Sequence, residues 1–151
     1  MVLFDRAYRY QMNGELGNAI LLYQRSIETH PTAEAYTFLG WTYSMMGRTD
    51  EAIEMCHQAI ETDPTLGNPY NDIGVYLMEQ AQWKEAIPWL EKAITASRYE
   101  NPQFPYLNLG RVYEQTSRYR SALQSYDKAL EIDHFYLPAH WAKTALLGKM
   151  N

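Results

Sequence analysis

A chain of 151 residues, 46% hydrophobic and 21% charged, can bury one sizeable core and has the composition of an ordinary globular domain. Its net charge of −5 and the lack of a basic stripe argue against nucleic acid as a partner. No apolar run approaches the ~18 residues that span a bilayer, and the lone Cys56 excludes an internal disulfide framework.

The first predicted helix covers about 2–12, breaks at Asn13-Gly14, and is followed by a second over about 16–29 that ends before Pro31. Thr32 is placed to cap a helix over 33–46, which carries apolar residues at Tyr36, Leu39 and Tyr43. Gly47-Arg48-Thr49 breaks that helix. Thr49 is read as the cap of the next, over 50–62, which closes at Asp63-Pro64. Asn68-Pro69 supplies a capping side chain and a proline at the first helical place. Ala81-Gln82 is the next turn, and a helix follows over about 83–97. The chain re-enters a helix near Pro102–Pro105, turns at Ser117, and ends another helix near Ile132-Asp133. A last helix over about 137–149 has no partner after it.

These elements recur. Gly40, Ala52 and Ala59 are matched 34 residues later by Gly74, Ala86 and Ala93, and after a further 36 by Gly110, Ala122 and Ala129. Large residues precede each glycine by four and by one: Tyr36/Leu39, Tyr70/Ile73 and Tyr106/Leu109. Glycine inside a helix costs roughly 1 kcal/mol against alanine. Its repetition at one register therefore implies a close backbone approach, here expected across each helix pair toward the two alanines.

The recurring aromatic, Leu-Gly, Tyr, Ala and Ala set, with Pro31 and Pro64 closing two units, resembles the tetratricopeptide repeat family over essentially the whole chain. The resemblance implies an all-α, right-handed solenoid of four antiparallel helix pairs plus a C-terminal capping helix. Its units cover about 1–32, 33–66, 67–102 and 103–136, with the cap at 137–149, in one repeat domain. Some places depart from the pattern. Ala7 replaces the first glycine, Ser26 the last alanine of unit one, and Arg98 and His134 stand where a closing proline is expected. Two extra residues in 98–102 are expected to shift unit four against unit three. On the last helix, His140, Lys143 and Thr144 are read as the outward face, and Ala139, Ala142 and Leu146 as the face packed backward.

No catalytic constellation stands out: no Gly-rich loop, Ser-His-Asp set or zinc spacing is present. His30, His57, His134 and His140 are scattered, and adjacent Cys56 and His57 diverge by about 100° on a helix. No metal or cofactor is expected, and Cys56 reads as a buried small hydrophobe, matching Leu90 and Tyr126 in later units.

In the resembled family the first helix of each pair lines a concave groove. Helical spacing then gives partner-binding candidates Tyr8, Thr37, Phe38, Trp41, Met45, Asn71, Asp72, Val75, Phe104, Asn108, Arg111 and Trp141. The wider face takes in Phe4, Gln11, Glu34 and Asn68. Phe38 and Trp41 can alternatively serve only to pack neighbouring units. Asn71 and Asn108 have the donors and acceptors to bond a bound backbone in both directions. The lysine-asparagine-lysine-arginine clamp that some family members use for a C-terminal carboxylate is absent. Starting at unit two, its places hold Thr37, Trp41, Asp72, Phe104 and Asn108.

The sequence therefore points to a non-catalytic scaffold that binds a peptide segment or helix of a protein partner. A regulatory or substrate-recognition domain of a larger enzyme is the alternative. End-to-end self-assembly is disfavoured by the polar ends. The chain is expected to act as a monomer, without nucleic acid or membrane insertion. Met1-Val2-Leu3-Phe4-Asp5-Arg6 lacks a signal-peptide pattern, so a cytoplasmic location is expected.

Overall fold

In the computed structural model, which describes residues 2–151, the chain forms nine α-helices in sequence and, among the described residues, no strand. They are α1 (Val2–Met12), α2 (Leu16–Thr29), α3 (Ala33–Met45), α4 (Thr49–Thr62), α5 (Asn68–Glu79), α6 (Trp83–Thr95), α7 (Gln103–Gln115), α8 (Tyr119–Ile132) and α9 (Leu137–Met150).

Consecutive helices pack as pairs, and each pair stacks on the next. The first helices also approach one another in series, α1 to α3 to α5 to α7 to α9, whereas the backbones of successive second helices stand further apart and are bridged by long side chains, as by His57 on α4 and Trp89 on α6 with ring centroids 5.5 Å apart. That asymmetry curves the stack, with first helices inside and second helices outside. The result is an all-α solenoid.

All four turns within pairs use the same device. Gly14 (φ +82°), Gly47 (φ +76°), Ala81 (φ +58°) and Ser117 (φ +60°) adopt the left-handed conformation one residue before the next helix cap. The following amide then reaches back to the last turn of the first helix: Glu15 N to Tyr10 O, Arg48 N to Tyr43 O and Gln82 N to Leu77 O at 2.9 Å, and Arg118 N to Tyr113 O at 2.8 Å. This pairing satisfies carbonyls that a helix end otherwise leaves bare.

Helix starts are less uniform. Thr32 accepts from Ala35 N at 3.1 Å, as its position predicts. Thr49 does not cap: it is the first residue of α4, and the cap position falls to Arg48, whose side chain instead pairs with Glu51. Asn68 likewise lies inside α5, with Gly67 at the cap and no side-chain bond there.

The glycines sit where backbones approach. A Cβ on Gly40 would lie 3.0 Å from the Ala52 carbonyl oxygen and 3.3 Å from Met55 Cβ. On Gly74 it would overlap Leu90, and on Gly110 the Tyr126 ring. So Gly40 meets the first alanine as expected, Gly74 and Gly110 face the residue four after it, and none of the three has the second alanine among its nearest neighbours. Ala59 packs instead with Ala33 and Tyr36 at the start of α3. Cys56 is fully buried, and its burial pushes the thiol well above its ordinary range.

The last helix packs Ala139 and Leu146 inward as its pattern predicts. Its outer side is less polar than expected. Lys143 turns back to Asp127 at 2.7 Å, and Lys149 to Glu114 at 3.2 Å. Leu137 and Trp141, by contrast, are exposed.

Candidate functional site

The concave face has a pocket of about 250 Å³ at its centre, lined by Thr37, Phe38, Trp41, Asn68, Asn71, Asp72, Tyr99 and Phe104. Three first helices and one connecting loop build it. α3 presents Thr37, Phe38 and Trp41 at one-turn spacing, α5 presents Asn68, Asn71 and Asp72, and α7 presents Phe104 from its first turn. Trp41 and Phe104 keep 40% and 37% of their surface in solvent.

Phe38 belongs to both the core and the site. Its ring centroid lies 5.2 Å from Phe4, 5.8 Å from Tyr8 and 5.7 Å from Trp41, in edge-on and tilted geometries that aromatic pairs favour. The inter-unit packing role thus holds for Phe38, while Trp41 at the end of the row stays accessible.

The fourth wall comes from the segment between α6 and α7, which carries the two extra residues. The segment does not displace the helix pairs from contact: α6 packs on α7 as second helices pack on following first helices elsewhere. It folds back onto the α4–α5 connection through Arg98 N to Thr65 O and Gly67 N to Arg98 O, both 2.9 Å. The Arg98 guanidinium adds Asp63 at 2.7 Å and Glu34 at 3.6 Å. Tyr99 then lies directly over Gly67, where any Cβ would overlap its ring. An arginine in place of the closing proline therefore pins the insertion and sets Tyr99 into the groove wall.

The amides behave differently from expectation. Asn108 is buried and donates from Nδ2 to Asn71 Oδ1 at 3.1 Å, so the two bond each other across α5 and α7. Part of the capacity assigned to a bound backbone is spent inside the protein. Thr37 is buried too, its hydroxyl donating to Ala33 O at 2.7 Å. Gln11 is fully buried and accepts from the Tyr23 hydroxyl at 2.7 Å, which removes it from the groove surface.

Asp72 has no hydrogen-bond or ion-pair partner for its carboxylate among the described residues. Desolvation alone pushes that carboxyl from its ordinary 3.8 up to about 7. The Tyr99 phenol is likewise raised, first by burial and then by the charge of Asp72.

Of the twelve predicted residues, the pocket brings together Thr37, Phe38, Trp41, Asn71, Asp72 and Phe104. Tyr8 extends the aromatic row at the rim through Phe38, and Asn108 supports Asn71 from behind. Met45 and Arg111 are exposed outside the pocket, Val75 packs against the core, and Trp141 lies on α9 beyond it. Tyr99 is the wall residue that helical spacing does not find, because it belongs to no helix. The extra length in 98–102 is its one signal.

Tetratricopeptide repeat family models match residues 33–66 and residues 65–134. No curated protein sequence matches. Solved structures do. A structure described as the functional characterization of Pseudomonas aeruginosa pilF superposes with a TM-score of 0.91 at 22% identity, over 99% of this chain and 68% of that one. MamA gives 0.79 at 23% identity, over 95% of this chain and 84% of its own. PilW, a type IV pilus biogenesis factor, gives 0.83 at 19% identity, over 91% and 64%. At such identities the likeness concerns the fold.

Proposed function

The chain belongs to the tetratricopeptide repeat family, and from that premise we propose that its concave face is a non-catalytic surface holding an extended segment or a helix of a partner protein. The observation that carries this reading is the pocket at the centre of that face, with aromatic side chains left part-exposed beside amides and a carboxylate. Rigid aromatic anchors surrounded by a few polar groups are the usual composition of a protein-binding hot spot. The pocket's ionisable groups are one carboxyl and one phenol, Asp72 and Tyr99, with no nucleophile set against a base. Their arrangement suits recognition.

The test is selection of a displayed peptide library on the immobilised protein, followed by affinity measurements on a retained peptide. Trp41→Ala and Phe104→Ala should each cost roughly 2 kcal/mol, about thirtyfold in affinity, with helicity unchanged. Glu91→Lys, exposed on α6 and on the outer side, should change nothing. Equal binding by both groove variants and the parent would move the site off the concave face.

A further inference from the structure

We infer that the pocket takes a cationic side chain, lysine or arginine, from the bound partner segment, with Asp72 as its counter-ion and Phe38, Trp41, Tyr99 and Phe104 around its stem. This rests on the concave-face reading above and specifies the partner's chemistry.

A carboxylate withdrawn from water is normally paired, because burial without a partner is costly. Asp72 is only partly buried, but it lines the pocket without such a partner. Among the described residues no ion pair or side-chain hydrogen bond engages its carboxylate, and partial desolvation raises its pKa. The nearest candidate in sequence on the facing loop, Arg98, is directed to Asp63 and Glu34 instead. The aromatic walls suit the same occupant. Ring faces attract cations, and the methylene stem of lysine or arginine packs on apolar surface while its head reaches a charge.

The alternatives fit less well. An apolar side chain would bury Asp72 unpaired, and an anion would meet it directly. At about 250 Å³ the pocket is smaller than the ~300–1,000 Å³ common for small-molecule sites, and matches one long side chain. The wider field agrees: residues 1–80, which supply α3 and α5, carry 4 Lys/Arg against 11 Asp/Glu.

The geometry also makes binding pH-dependent. Other titratable groups facing Asp72 are Cys56 from α4, Tyr76 from α5 and Tyr99 from the α6–α7 segment, all raised and so neutral near pH 7. α3 and α7 contribute only uncharged pocket residues. Asp72 alone changes charge there.

The experiment uses peptides retained from the displayed library by the whole chain. Retained sequences should share a lysine or arginine. Replacing it in the peptide by norleucine or citrulline should weaken binding about tenfold or more, as should Asp72→Asn in the protein. The two changes together should cost little more than either alone. Affinity for the parent should also fall as pH is lowered from about 8 to about 6. Retained peptides without a basic residue, or indifference to the norleucine and citrulline exchange, would overturn the cation while leaving the groove standing. Retention of no peptide would overturn both. The peptide-side exchanges leave the protein untouched, so a folding defect in Asp72→Asn cannot obscure the result.

Discussion

Asn108 on α7 donates its side-chain amide to the Asn71 carbonyl oxygen on α5 at 3.1 Å, tying two first helices together beneath the concave surface. Both residues are buried. The bond links the third and fourth pairs, and it holds in place the amide that lines the pocket.

Removing either partner should therefore be a stability change first and a binding change second. Asn108→Ala leaves the Asn71 oxygen without its donor and should cost about 1–3 kcal/mol, read by urea denaturation. A double-mutant cycle with Asn71→Ala should return a coupling of about 0.5–1.5 kcal/mol. Strict additivity would mean that the two amides do not bond. Asn108 is consequently a poor probe of partner binding, although as a polar residue on the groove helix it reads as a good one.

The fold was legible because its demands repeat. Close approach of two helices requires a small residue at one register, and Gly40, Gly74 and Gly110 meet it three times over. Other features lack that redundancy. Asn71 and Asn108 stand at different places of their units, so their meeting depends on how successive pairs rotate, which periodicity does not encode. Gln11 has the spacing of a groove residue but is claimed by the Tyr23 hydroxyl twelve residues later, as Glu114 is by Tyr126 at 2.7 Å. A tyrosine at that second-helix place with a polar residue twelve earlier was the available signal. Units two and three place Ser44 before Cys56 and Met78 before Leu90.

Tyr99 illustrates what an insertion can contribute. Gly67→Ala should collide with the Tyr99 ring and either unseat the α6–α7 segment or strain the α4–α5 connection, costing about 1–3 kcal/mol. Thermal melts of Gly67→Ala, Tyr99→Gly and the double variant test this. The new methyl would meet the Tyr99 Cβ as well as its ring, so only loss of the whole side chain gives the alanine room, and the double variant should be less destabilised than the two single losses predict together. Simple addition would show that the ring is seated elsewhere.

The turns offer a gain in place of a loss. Ala81 and Ser117 hold the left-handed conformation that Gly14 and Gly47 occupy in the first two pairs. That conformation costs an L-residue about 1–2 kcal/mol, and glycine returns part of this as extra freedom in the unfolded chain. Ala81→Gly and Ser117→Gly should each stabilise by about 0.5–1 kcal/mol. Gly14→Ala should destabilise by a comparable amount. Chemical denaturation of the three variants at constant slope decides the matter.

Asp72 links the pocket to stability through pH. Its carboxyl titrates near pH 7 in the folded chain and near 3.8 when unfolded, so between those values the folded state binds the extra proton. Stability attributable to this group therefore falls as pH rises from about 4 to about 7 and is level on either side. Asp72→Asn removes the titration while keeping the shape. Its stability relative to the parent should rise across that window and reach a plateau above pH 7. A difference of about 1 kcal/mol is expected, less than the full shift would convert to, because the groove stays open to water. Denaturation of parent and variant at pH 4.5, 6 and 8, chosen to sample about the start, middle and end of the window, measures the difference curve. A flat curve would place Asp72 in ordinary solvent contact, and a falling one would require a cation beside it in the folded chain.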